Sequence, residues 1–125
     1  MFFFLKSIYF QICNLLFYFR GIFSELKRLF YVNLENNRLK YIPDNAFPAD
    51  CKIVFADFGN NEISIARENE KSPFYNCRDL QSLILSNNRI HKIYEDWKNF
   101  SNLRHLDLTN NSLTSINISV NYILI

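Results

Sequence analysis

The amino-acid sequence predicts an α/β-type repeat solenoid, in which short parallel strands form a concave face and mostly irregular or short-helical segments form the convex side. The first observation is a unit, residues 80–93, with apolar residues at positions 1, 4, 6 and 11 and asparagine at position 9. The second is its recurrence, which places asparagines at 37, 61, 88 and 111, in steps of 24, 27 and 23 residues. A single unit of this kind cannot bury its own apolar edge, so the units must stack on one another.

Each position of the unit has a physical role. Leu83 and Leu85 are two residues apart and therefore share one face of a short strand. Asn88 follows where the chain leaves the strand, and an amide has both donors and an acceptor for the backbone groups of such a turn. The spacing is the L-x-x-L-x-L-x-x-N-x-L pattern of a leucine-rich repeat. It predicts strands near 31-35, 55-59, 82-86 and 105-109, and structural, inward-facing amides at Asn37, Asn61, Asn88 and Asn111.

Residues 1-25 have three interpretations that the sequence leaves open. The charge-free run between Lys6 and Arg20 is 13 residues long, which is shorter than the roughly 20 residues of a membrane-spanning helix. No small-x-small cleavage site follows it, as a signal peptide would prefer. We therefore expect a degenerate first repeat, with a signal-like apolar segment and membrane association as alternatives. The repeat positions are Leu5, Ile8, Phe10, Cys13 and Leu15.

The repeats extend over residues 26-118, and residues 119-125 form a C-terminal tail that we expect to cover the last repeat. The polar stretch 67–73 predicts a surface bulge within the 27-residue step. Neither end of the chain has the polar cap that solenoids usually need, which predicts a fragment of a longer array. Large apolar residues recur six positions before each unit and are expected to stack on the convex side: Phe23, Phe47, Phe74 and Trp97.

The composition narrows the class of function. The chain has 14 Lys or Arg and 12 Asp or Glu, mixed with no basic stripe, so we expect no nucleic-acid partner. With 2 Gly in the chain, a glycine-rich phosphate loop is excluded. His91 and His105 lie in different repeats without a Cys or carboxylate at ligand spacing, so we expect no metal site. No Ser, His and Asp arrangement has local support, so we expect no enzyme, no catalytic residues and no cofactor.

A more specific likeness lies in residues 72–97, which include the strand of the third full repeat and the segments before and after it. The stretch Ser72-Pro-Phe-Tyr-Asn-Cys77-Arg-Asp-Leu80 precedes a strand, and Tyr94-Glu-Asp-Trp97 follows it. Both resemble the extracellular repeats of invertebrate Toll-type receptors. The resemblance implies an extracellular region of an innate immune or developmental receptor that binds a protein ligand or co-receptor. The chain departs from that family in lacking a spanning helix, a cysteine-rich cap and a signalling domain, so signalling is not implied; membrane attachment is expected only through flanking regions or the apolar N-terminus.

The candidate binding residues are the outward side chains of the strands, which form columns on the concave face. Tyr31 and Phe55 are the best interface anchors, because large aromatic side chains bury much area at low entropy cost. The alternative is that they only stiffen adjacent strands. Position 3 comprises Tyr31, Phe55, Ser82 and His105, and position 5 comprises Asn33, Asp57, Ile84 and Asp107.

Cysteines and glycosylation motifs bear on the compartment. We expect Cys51 and Cys77 to be small core residues, because an offset of one residue in their register argues against the alternative, a disulfide. Asn-x-Ser motifs begin at Asn99, Asn110 and Asn117, and their clustering favours a secreted protein. The sequence thus predicts a non-catalytic recognition module that is extracellular or membrane-associated; the alternative is an intracellular leucine-rich repeat scaffold for protein–protein interaction.

Overall fold

The structure is a computed structural model that describes residues 7–9, 23, 27–44, 46–64, 71–114 and 123–124. In these ranges the chain forms one six-stranded sheet in which every neighbouring pair is parallel and the strand order follows the sequence. This confirms the predicted solenoid. The strands are β1 Ser7–Tyr9, β2 Tyr31–Asn33, β3 Phe55–Asp57, β4 Ser82–Ile84, β5 His105–Asp107 and β6 Ile123–Leu124.

The register of the sheet follows the sequence unit position by position. Val32, Ala56, Leu83 and Leu106 are successive partners across β2 to β5, and each is at most 1% exposed. The extra residues of the 27-residue step therefore lie outside the sheet. The four strands begin where the sequence predicts but end two residues earlier. In β2, the Asn33 side chain accepts a hydrogen bond from the Glu35 N–H at 3.0 Å. This local bond turns the chain out of the sheet and ends the strand.

The two outer strands extend the sheet beyond the four central units. In β1, Ile8 pairs with Val32, and in β6, Ile123 pairs with Leu106. The first pairing has the 24-residue step of the repeats, whereas the second has a step of 17 residues. The interpretation of residues 1-25 as a repeat stays a prediction, because most of its positions lie outside the described residues. Residues 67–70 of the expected bulge also lie outside them. None of the helical segments in the described ranges has the length and hydropathy of a membrane span.

A column of phenylalanines fills the convex side of the core. The rings of Phe23 and Phe47 stack with centroids 5.4 Å apart, and those of Phe47 and Phe74 with centroids 5.2 Å apart. All three side chains are at most 3% exposed. Trp97 is also buried and packs against Tyr94, with ring centroids 5.6 Å apart. It lies in a 3₁₀ helix, Glu95–Asn99, in the convex segment between β4 and β5.

Four asparagines adopt left-handed backbone conformations that the sequence analysis did not anticipate. Their φ angles lie between 53° and 58°. Asparagine tolerates this region better than other non-glycine residues because its short side chain bonds locally. Each one directly precedes an inward-facing amide, so the Asn-Asn doublet is the sequence signal that would have found them. The residues are Asn36, Asn60, Asn87 and Asn110.

The expectation that Cys51 and Cys77 are separate core residues is wrong, because the structure joins them in a disulfide. Their Cα atoms are 4.8 Å apart, and both side chains are at most 4% exposed. The offset of one residue does not matter, because neither cysteine lies in a strand. The Cys51 N–H bonds the Pro48 carbonyl and the Cys77 N–H bonds the Phe74 carbonyl. Both cysteines therefore end a turn of the same size, which brings them to equivalent places in adjacent repeats.

A buried serine links the convex segments of neighbouring repeats. The Ser72 N–H and hydroxyl donate to the two oxygens of Asp96, at 2.9 and 2.8 Å. Ser72 is 1% exposed, so these donors have little access to water. Asp96 belongs to the Tyr94-Glu-Asp-Trp97 stretch of the sequence analysis. Its carboxylate holds the 3₁₀ helix against the segment that contains Ser72.

Replacement of Asp96 by alanine is expected to lower the free energy of unfolding by about 2–3 kcal/mol, because two buried donors lose a charged acceptor. Urea denaturation followed by circular dichroism measures the change. The matched control is Glu95→Ala, an exposed acidic residue in the same helix, for which a change within about 0.5 kcal/mol is expected. Equal effects of the two substitutions would show that the Ser72 contact contributes nothing specific.

Candidate protein-binding face

The outward side chains of β2 to β5 form the concave face, and the register brings together all four residues of position 3. Tyr31, Phe55, Ser82 and His105 are successive partners across the sheet. Neighbouring strands lie about 4.8 Å apart, so these side chains form a continuous row. Tyr31 is 50% exposed, and its ring centroid is 6.3 Å from that of the half-buried Phe55, with the rings tilted by 38°. The row has an aromatic end at β2 and β3 and a polar end at β4 and β5.

The polar residues of position 5 have a structural role that the sequence analysis missed. Asp57 accepts the Gly59 N–H at 2.9 Å, as Asn33 does for Glu35. Asp107 accepts the Thr109 N–H at 2.9 Å and the Thr109 hydroxyl at 2.8 Å. A short polar side chain two residues before the turn is the signal for this local bond. Ile84 interrupts the column, since an aliphatic side chain offers no acceptor.

Asp57 has an unusual electrostatic environment. Burial raises the pKa of its carboxyl above the ordinary value of 3.8; the Gly59 hydrogen bond lowers the pKa, and the negative charges of Glu35 and Asp107 raise it. Burial is the largest of these influences. Because the pKa in the folded chain exceeds the unfolded value, the stabilisation from proton binding is present below the ordinary pKa and is lost as the pH rises through the raised pKa. At neutral pH the ionised Asp57 therefore destabilises the fold relative to a neutral side chain.

Asp57→Asn is expected to stabilise the protein at pH 7 by roughly 0.5–1 kcal/mol, because the amide oxygen keeps the bond to Gly59 and carries no charge. Asn33 already occupies the equivalent position in β2. The advantage is expected to disappear as the pH falls through the raised pKa of Asp57, since both side chains are then neutral. Thermal unfolding of the wild-type protein and the variant between pH 3 and 7 measures it. Asp107→Asn is the control, with a smaller expected gain because that side chain is half-buried.

The inward amides form a ladder behind the concave face. Asn88 donates to the carbonyls of Phe58, Leu85 and Ser86 at 2.9 to 3.2 Å, and its own oxygen accepts the Ile63 N–H at 2.9 Å. Asn61 makes the same bonds one repeat earlier and Asn111 one repeat later. Asn37 donates within its own repeat, to Leu34 and Glu35. Each amide thus joins its own turn to the preceding repeat wherever that repeat is described.

Two of the glycosylation candidates lie on the surface. Asn99 ends the 3₁₀ helix and is exposed. Asn110 is also exposed, and its amide nitrogen donates to the side-chain oxygen of Asn87 at 2.6 Å. Asn117 lies outside the described residues. His91 and His105 belong to successive units, and the part of the chain that the structure describes contains no group of three or more His, Cys, Asp and Glu able to hold a metal ion.

The parallel sheet, its constant register and the amide ladder define the class: the chain is a leucine-rich repeat protein. The family described as Leucine Rich repeats (2 copies) matches residues 78–121. Keratocan from Bos taurus is 33% identical over 89 residues, which are 71% of this chain and 24% of keratocan. The chain thus spans about a quarter of the length of the curated relatives it matches.

Solved structures with the same fold include a chain of the Drosophila Toll–Spatzle complex. It has a TM-score of 0.69 and 33% identity, over 74% of this chain and 13% of that chain. The ectodomain of BIR2 from Arabidopsis thaliana has a TM-score of 0.60 and 26% identity, over 74% of this chain and 48% of that chain. These similarities assign the chain to a class of repeat proteins that act as protein-interaction modules.

Proposed function

We propose that this chain is a non-catalytic extracellular recognition module that binds a protein ligand through its concave face. The observation that carries the proposal is the Tyr31–Phe55 pair, two neighbouring aromatic side chains that the sheet holds at its outward surface. A rigid parallel sheet presents such side chains with little loss of conformational entropy on binding. The similarity to a chain of the Toll–Spatzle complex, a hub in Drosophila development and innate immunity, supports a protein ligand and a role in one of these processes.

The Cys51–Cys77 disulfide supports an extracellular location. Disulfides form and persist in oxidising compartments and are rare in the cytosol. This disulfide is buried between two repeats, where it is integral to the core rather than an exposed redox pair. A second matched structure of the Toll–Spatzle complex is its glycosylated form, and the BIR2 structure is an ectodomain. The exposed Asn99 and Asn110 provide acceptor positions of the same kind.

Expression of the chain in a secretory cell line tests the location. We expect a product whose mass falls on glycosidase treatment and whose non-reduced mass is consistent with one disulfide. Asn99→Gln and Asn110→Gln, separately and together, identify the modified residues, and the N-terminal mass shows whether residues 1-25 are retained. A cytosolic, unmodified product with three reduced cysteines would overturn the extracellular proposal and favour the intracellular scaffold.

Binding is tested with the secreted product against a panel of purified secreted proteins by biolayer interferometry. A Tyr31→Ala/Phe55→Ala variant is expected to lose at least tenfold in affinity for any protein that the wild-type chain binds, because both anchors are removed. Tyr41→Ala is the matched control: Tyr41 is 45% exposed but lies outside the strands. A ligand that binds the double variant and the wild-type chain equally well would contradict the concave-face assignment.

A further inference from the structure

The concave face combines an aromatic area with carboxylates. Tyr31 and Phe55 form its aromatic end. Asp57 lies two residues after Phe55 in the same strand, so its side chain is on the same face of the sheet. Along a strand this separation is about 7 Å. One bound side chain can therefore contact the aromatic rings while its terminal group lies close to the charge of this carboxylate.

Two further carboxylates, those of Glu35 and Asp107, lie near that of Asp57. The negative charges of Glu35 and Asp107 both act on Asp57, which is why they raise its pKa. The Asn60 amide donates to one oxygen of Glu35 at 3.0 Å, and the Gly59 N–H donates to one oxygen of Asp57. These neutral donors leave the negative charges in place. The charge at this position is therefore negative, although the net charge of the whole chain is +2.

We infer that the ligand of the concave face is a second protein that presents a basic segment, with Lys or Arg next to apolar residues. The inference rests on the proposed function and adds the chemistry of the partner. The apolar residues of the segment cover Tyr31 and Phe55. Its cationic groups form charge-assisted hydrogen bonds with the half-buried Glu35 and lie over the Tyr31 ring. The negative charge of Asp57, which is 9% exposed, adds to their attraction. An acidic segment is excluded, because like charges meet across the interface.

Three fluorescein-labelled peptides of equal length test the chemistry by fluorescence anisotropy with the intact secreted chain. They are five repeats of Arg-Leu, five of Glu-Leu and five of Arg-Gly. The Arg-Leu peptide is expected to bind with a dissociation constant that rises with salt. The Glu-Leu peptide is expected not to bind, and the Arg-Gly peptide to bind at least tenfold more weakly than Arg-Leu. Equal binding of Arg-Leu and Glu-Leu, or no binding of Arg-Leu, would overturn the inference.

Charge-neutralising variants locate the site. Glu35→Gln/Asp57→Asn keeps both side-chain shapes and is expected to weaken Arg-Leu binding at least tenfold. Glu62→Gln is the matched control, because Glu62 lies outside the strands, next to Arg89 at 3.3 Å, and its loss is expected to leave binding unchanged. Circular dichroism confirms that each variant is folded. Equal loss in the control and the test variant would show non-specific charge attraction and overturn the inference.

A second copy of the chain is the competing occupant of this face. Sedimentation velocity of the wild-type chain and of Glu35→Gln/Asp57→Asn distinguishes it. If both proteins are monomers, the ligand is a separate protein. If the wild-type chain is a dimer and the double variant is a monomer, the inference of a separate partner is overturned. If the Arg-Leu peptide does not bind, but panel ligands bind and still require Tyr31 and Phe55, only the basic chemistry inferred for the partner is overturned. If panel ligands bind the Tyr31→Ala/Phe55→Ala variant as tightly as the wild-type chain, the proposed function of the concave face is overturned instead.

Discussion

Cys51→Ala/Cys77→Ala is expected to lower the free energy of unfolding by about 3.5 kcal/mol, which is the chain-entropy value for a disulfide closing a loop of this length. The two cysteines are 26 residues apart, so the disulfide lowers the conformational entropy of the unfolded chain by closing a loop about as long as one repeat. Alanine is the suitable replacement because a buried serine hydroxyl would add a separate desolvation cost. Equilibrium denaturation in urea, with the wild-type and variant chains in parallel, measures the difference.

The wild-type chain in the presence of a reductant is the control for this substitution. It is expected to approach the stability of the double alanine variant, because both then lack the same covalent link. In the absence of reductant, a thiol assay on the denatured wild-type chain is expected to find one free thiol among the 3 cysteines. Three free thiols, or a stability that reductant leaves unchanged, would contradict the assignment of the disulfide.

Asn88→Ala is expected to destabilise the protein by about 4 kcal/mol. The Asn88 amide bonds the Phe58 and Leu85 carbonyls and the Ile63 N–H, and the side chain is 8% exposed. Its removal leaves the Ile63 N–H buried without a partner, at a cost of about 1–3 kcal/mol, and removes two further buried hydrogen bonds, each worth about 0.5–1.5 kcal/mol. The Phe58 and Leu85 carbonyls keep one bond each, from Asn61 and Asn111. Urea denaturation measures the loss, and amide hydrogen exchange is expected to show faster exchange at Ile63.

The equivalent amide near the end of the described array is the matched control. Asn111 makes the same kinds of bond but is half-buried, so water can replace it more easily. We expect Asn111→Ala to cost about half as much as Asn88→Ala. A cost for Asn88→Ala below 1 kcal/mol would show that the ladder contributes little and that apolar packing alone holds adjacent repeats together.

The features of the fold that follow from the repeating unit could be predicted from the sequence alone. Leu83 and Leu106 occupy the same position of successive units, and the parallel register that pairs them follows from this identity. The position 3 row of the candidate site follows in the same way, because outward residues at equal positions must become neighbours across the sheet. The exposure of Tyr31 and its distance from Phe55 did not follow, since they depend on what surrounds each ring.

Features that occur once, or outside the strands, required the three-dimensional arrangement. Cys51 and Cys77 are displaced by one residue in the repeat numbering, and only the geometry of their two turns brings them together. The bonds between Ser72 and Asp96 join residues 24 positions apart in the chain. The raised pKa of Asp57 depends on burial and on charges from neighbouring repeats. No local pattern encodes such distances.

The sequence by itself therefore determined the architecture of this protein: a stack of equivalent units with a parallel sheet, inward amides and a defined outward row. It did so because a periodic arrangement of apolar residues has one way to bury its edge, by stacking in register. Only the tertiary structure decided how the units are linked covalently and where aromatic and acidic side chains meet. These properties depend on distances between side chains of different repeats, and the chemistry that we propose for the ligand of the concave face is inferred from them.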